Sequence, residues 1–101
     1  MARESTGELV AFAAKPDLKP TERTRFFREL HGYVDRSRFG EYWYERPGVL
    51  SEIPHVHLSR GVLIVRTEDK GRLVRFLRRF ATVQTRTVTL TKADQRVLFG
   101  K

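Results

Sequence analysis

The run Val62-Leu63-Ile64-Val65, with Thr67 to Phe80 and Thr82 to Leu90 behind it, decides the fold of this chain. Val62 to Val65 is continuously apolar and largely β-branched, as expected of a strand buried on both faces. Thr67 suits an N-cap, and Glu68 and Asp69 then place acids in the first turn, where the helix dipole favours them. Leu73, Phe76, Leu77 and Phe80 recur at i, i+3, i+4 and i+7, the stripe of a core-facing helix over 67–80. Thr82 to Leu90 is rich in Thr and Val and predicts another strand.

The first half repeats this order less clearly. Glu8 to Ala14 is a short apolar run of strand length. Pro16 and Pro20 interrupt it with a loop. Phe26, Phe27 and Leu30 then share one arc of a helical wheel, with Arg25 and Arg28 opposite. Pro20 fits the first helical turn and Gly32 the C-terminal cap, so the expected helix runs over about 20–31. Val34 to Gly40 reads as a turn-rich link. Glu41 to Arg46, dense in aromatics, reads as a strand closed by Pro47-Gly48. Residues 47–60 read as a long loop, a kind of segment that is uncommon in compact domains and often functional. Thr91 and Asp94 resemble a capping box ahead of Val97, Leu98 and Phe99, which could pack a short terminal helix onto the body.

Strand, helix, strand, strand, helix, strand is the order of a ferredoxin-like βαββαβ sandwich, an α+β fold. The expectation is therefore a four-stranded antiparallel sheet with two helices on one face and the other face open. A short C-terminal helix is added. The 101 residues make a single domain, with residues 1–6 as a frayed lead-in.

Composition narrows the function classes. The 20 Lys and Arg exceed the 12 Asp and Glu, for a net charge of +8, and fifteen of the 20 are Arg. A small domain this basic attracts polyanions, of which nucleic acid is the usual one. A thermophile would also favour many charges, one Met and no Cys, but would balance Arg with Glu. The absence of cysteine excludes disulfides, thiolate metal sites and a Cys nucleophile. No apolar run reaches membrane-spanning length, and the first residues lack a secretory pattern, so a cytoplasmic protein without membrane contact is expected. No glycine-rich phosphate loop, GxSxG elbow or HExxH motif is present, and no cofactor is expected.

Three clusters carry candidate chemistry. On the second helix, Arg72, Arg75, Arg78 and Arg79 would project within one arc, with Lys70 at its flank, and could bridge phosphates. The same row would serve equally as a solvated helix face. Around the aromatic strand, Arg36, Arg38 and Arg46 flank Tyr42, Trp43 and Tyr44. Tyr42 and Tyr44 would share one face and could stack on the bases of a single strand. The competing reading makes these rings sheet core or interface. The third cluster is His55, His57 and Arg60, joined by Tyr44. Two imidazoles on one side of an extended chain, with an Arg, could cleave RNA without a metal, one His as base and the other as acid. As a metal pair they need a third ligand, for which His31, Glu52 and Asp35 are equal candidates. A non-catalytic binder of DNA or RNA is the leading reading. A metal-free endoribonuclease is the alternative, and so is a homodimer or a subunit of a larger ribonucleoprotein assembly.

Overall fold

The computed structural model describes residues 5–36 and 43–100. In chain order the elements are β1 (Thr6–Ala14), α1 (Pro20–His31), β2 (Gly32–Arg36), β3 (Trp43–Pro47), a 3-10 turn (Val49–Glu52), β4 (His55–Ser59), β5 (Val62–Val65), α2 (Thr67–Leu77), β6 (Ala81–Thr89) and α3 (Lys92–Phe99). Four strands form one antiparallel sheet in the order β4-β5-β1-β6, and β2 and β3 form a separate two-stranded ribbon. This is a mixed α and β architecture with three helices among the described residues.

Strand alternation sorts the side chains of β1 onto two faces. Val10 and Phe12 join Leu63 and Val65 of β5 on one face, which α1 and α2 cover. Phe26 of α1 is fully buried there. Its ring lies 5.2 Å from Phe80 and 6.2 Å from Phe76, and meets Phe12 edge-on at 6.1 Å. Phe26 thereby ties α1 to α2 and to the sheet. Leu30, Leu73 and Leu77 complete the layer, and each fully buried side chain of this size contributes about 1.5–3 kcal/mol. On the opposite face α3 seats Leu98 against Ile64 and Leu90. The Thr91 hydroxyl accepts from the Asp94 N–H, and the Asp94 carboxylate accepts in return from the Thr91 N–H, so the expected capping box is formed.

Among the described residues one charged residue lies inside. Glu8, on the helix-covered face of β1, is 4% exposed. Its Oε2 accepts from the Thr87 hydroxyl at 2.9 Å, and its Oε1 lies 3.3 Å from the Lys70 ammonium. Both oxygens are thus engaged, as a buried carboxylate requires.

Five expectations are corrected. The aromatic segment is not the second strand of the main sheet; β4 holds that place beside β5. The reason is chemical. Val56 of β4 packs toward Ile64 and Leu98, whereas β3 alternates Tyr44 and Arg46 with Trp43 and Glu45 and has no apolar face to bury; all five of its residues are exposed. The link after α1 is extended over Gly32–Arg36 and pairs with β3. The presumed loop 47–60 contains a 3-10 turn and β4. Finally, α2 stops at Leu77. The Arg79 and Phe80 N–H groups bond to the Phe76 and Leu77 carbonyls, and this tighter winding turns Phe80 back into the core. The face expected to be open is partly covered by α3. Among the described residues no helix is long and apolar enough to cross a membrane.

Candidate nucleic-acid interface

The ribbon leaves the body at a backbone crossing. Gly32 ends α1 with φ of 80°, and its N–H bonds to the Arg28 carbonyl. Gly48 passes directly beside it. A Cβ on Gly48 would fall 2.3 Å from the Gly32 nitrogen and 2.5 Å from the Leu30 carbonyl oxygen. Only glycine permits that approach. The crossing fixes where the ribbon starts, next to the last turn of α1.

Register then decides which side chains share a side. Tyr33 pairs with Arg46 and Asp35 with Tyr44, so these four residues occupy one face. The Arg46 guanidinium sits 6.0 Å from the Tyr44 ring centre and 3.5 Å from the Asp35 carboxylate. From α1, Arg28 places its guanidinium 4.8 Å over the Tyr33 ring. Tyr33 is 39% and Tyr44 50% exposed. Between Tyr33 and α1 lies a cleft of about 600 Å³, lined also by Thr21, Thr24, Arg25, Arg28 and Glu29. Arg25 is held at 3.5 Å from Glu29. Two exposed phenol rings, each attended by a guanidinium, offer stacking surface and positive charge together. On the other face Trp43 and Val34 are exposed as well.

The sequence-predicted members of this cluster divide. Tyr44 and Arg46 are in place on the ribbon. Arg36 ends β2, but its side chain, like all of Arg38 and Tyr42, lies outside the described residues. Arg28 and Tyr33 were missed. Their signal was the alternation of Tyr33 and Asp35 with Val34 and Arg36 ahead of Gly40 and the aromatic strand, which is a hairpin pattern.

The arginine row of α2 also divides. Arg72 forms an ion pair with Glu52 of the 3-10 turn. Arg79 lies 5.2 Å from the Phe80 ring. Arg75 and Arg78 line a shallow groove of about 380 Å³ with Lys70, Gly71 and Val74. Lys70 is already committed to Glu8. With Lys70 and Arg72 paired to acids, Arg75, Arg78 and Arg79 are the members of the row that remain available to phosphate.

His55 and His57 lie on one side of β4, in register with Val65 and Leu63. The ring of His55 bonds through Nδ1 to the Ile53 carbonyl at 2.8 Å, which makes Nδ1 the donor and leaves Nε2 unprotonated in the neutral ring. Arg60 follows in the turn after β4, and Tyr44 stands on the separate ribbon. His31, at the end of α1, lies flat against Phe27 at 6.4 Å. Its pKa is lowered, first by burial and then by the charges of His57 and His55. Among the described residues no three His, Asp or Glu side chains converge as a metal-binding set.

Compared with protein-family models, curated proteins and solved structures, the chain finds no match.

Proposed function

We propose that this protein binds single-stranded nucleic acid, DNA or RNA, through the β2–β3 ribbon and the cleft beside α1, without catalysis. Bases stack on Tyr33 and Tyr44. Arg28 neutralises one adjoining phosphate, Arg46 a second by leaving its exposed pair with Asp35, and Arg75 and Arg78 supply a further, separate phosphate contact. The observation that carries this reading is the pairing of exposed tyrosines with guanidiniums along one side of an otherwise unburied ribbon. A two-stranded ribbon is marginal in water on its own, and a partner that stacks on it offsets that cost.

We read the main sheet, α1 and α2 as a ferredoxin-like frame with the ribbon inserted between α1 and β4. The strand order β4-β5-β1-β6 and the two helices on one face support this.

The test is fluorescence anisotropy with unstructured DNA and RNA oligonucleotides, titrated with salt. Affinity should fall linearly with the logarithm of salt concentration. Arg75→Gln and Arg78→Gln should each reduce that slope by roughly 1 and weaken all sequences alike. Tyr33→Ala with Tyr44→Ala should weaken binding while leaving the slope unchanged. Equal affinity in the tyrosine variants would remove the stacking reading.

A further inference from the structure

The outer edge of β6 is an open template. No other strand pairs with it among the described residues. The ladder shows which groups it presents. The Leu90 N–H bonds to the Ser5 carbonyl and the Phe80 carbonyl accepts from the Lys15 N–H, so even-numbered residues of β6 face β1. By alternation Ala81, Val83, Thr85, Thr87 and Thr89 direct their N–H and C=O outward. The Arg86 side chain supports this parity, since its Nη1 donates to the outward Thr85 carbonyl at 2.7 Å.

Sheet edges are ordinarily blunted by shortness, charge, proline or bulges. The opposite edge, β4, has five residues, a register irregularity between His57 and Ser59, and α3 packed alongside. β6 has nine residues, no proline and Arg86 as its one charge. Its sequence, moreover, complements itself. An antiparallel two-fold centred on Thr85 makes Thr85 a hydrogen-bonded pair with its own copy, which its outward groups require. The same register sets Val83 against Thr87, Ala81 against Thr89, Thr82 against Val88 and Gln84 against Arg86. Every residue of β6 finds a partner, and no like charges oppose. A two-fold shifted to centre on Arg86 would set guanidinium against guanidinium, a destabilising cross-strand pair.

We propose that two copies of this chain pair through β6, centred on Thr85, into one continuous eight-stranded antiparallel sheet. The Thr85 carbonyl then accepts from the Thr85 N–H of the second copy. Arg86, released from that carbonyl, reaches the Gln84 amide oxygen across the strand pair. The occupant is a second copy rather than an arbitrary extended peptide because the cross-strand partners are supplied by β6 itself. This pairing does not depend on the ligand of the ribbon.

Sedimentation equilibrium of the intact protein tests it. The wild type should sediment with twice the mass of the chain, and the mass should fall to the monomer on dilution. Thr85→Pro removes an outward N–H while sparing the β1 ladder, so it should give a folded monomer. Gln84→Arg opposes Arg86 twice and should also give a monomer, which keeps the test decisive if the proline variant does not fold. Gln84→Glu creates two opposite-charge pairs and should tighten association by about tenfold. A wild type that stays monomeric at all concentrations overturns the proposal. So does a dimer that persists in Gln84→Arg, since its interface would lie elsewhere.

Discussion

The guanidinium of Arg28 stands 4.8 Å over the ring of Tyr33. The two residues come from different elements, Arg28 from the last turn of α1 and Tyr33 from the second position of β2. Both residues line the cleft beside α1. An arginine so placed can also accept a phosphate, because its five donors are not consumed by the ring face.

Replacing Tyr33 by Ala should lower oligonucleotide affinity by about 1–3 kcal/mol, the range for loss of one stacked base. Tyr33→Phe keeps the ring and should bind nearly as well as the wild type. Arg28→Ala should lower both the affinity and the salt slope. Anisotropy titrations at several salt concentrations separate the two effects. If Tyr33→Phe were as weak as Tyr33→Ala, the hydroxyl rather than the ring face would be the contact.

Two glycines should respond in opposite directions. Gly48→Ala drives a methyl group into the Gly32 nitrogen and the Leu30 carbonyl, so backbone must move at the ribbon's base. A cost of about 1–3 kcal/mol or more is expected. Gly71, inside α2, has no atom within 4 Å of a new Cβ. Gly71→Ala should therefore stabilise by roughly 0.5–1 kcal/mol, seen as a higher Tm.

Acid should destabilise the fold slightly through His31. Its folded pKa lies below the ordinary 6.5, because burial against its neighbours and the charges of His57 and His55 disfavour the cation. The unfolded chain therefore binds this proton more readily, and the stability contribution is present above 6.5 and lost as pH falls through the folded value. The residue is largely exposed, so solvent screening keeps the effect below about 1 kcal/mol. Thermal melts at about pH 7.5 and about pH 5.5 should show the fall, and His31→Gln should reduce it. An unchanged pH dependence in that variant would assign the effect to other groups.

Phe26→Ala should be the most damaging core change. It empties the space between α1, α2 and β1 at a fully buried position. A loss of about 3–5 kcal/mol is expected, a large part of the stability of a domain this size. Chemical denaturation followed by circular dichroism measures it.

Where local signals were complete, the sequence was readable. Proline at the start and glycine at the end gave α1 its bounds, and Thr91 with Asp94 marked the start of α3. The apolar run of β5 was visible without any partner. β4 was hidden because His55-Val56-His57-Leu58-Ser59 has a weak apolar face, and its pairing with β5 supplies what its own pattern lacks. The aromatic strand misled for the opposite reason: its high strand propensity carried no information about which sheet it joins. At the candidate site, Tyr44 and Arg46 were recognisable from their clustering. Arg28 and Tyr33 meet only because Gly32 turns the chain sharply after α1. The buried Glu8 was equally illegible, since Lys70 and Thr87 reach it from distant parts of the chain.

The ribbon touches the body chiefly at the end of α1 and the 3-10 turn, and the chain extends 54 Å along its longest axis but only 20 Å along its shortest. Among the described residues no second layer shields its ladder. Backbone amides of β2 and β3 should therefore exchange with deuterium long before those of β1 and β5, whose opening requires the whole core to come apart. Two tiers of cooperativity follow within one short chain. The projecting arm should open and re-form while the body beneath it stays folded.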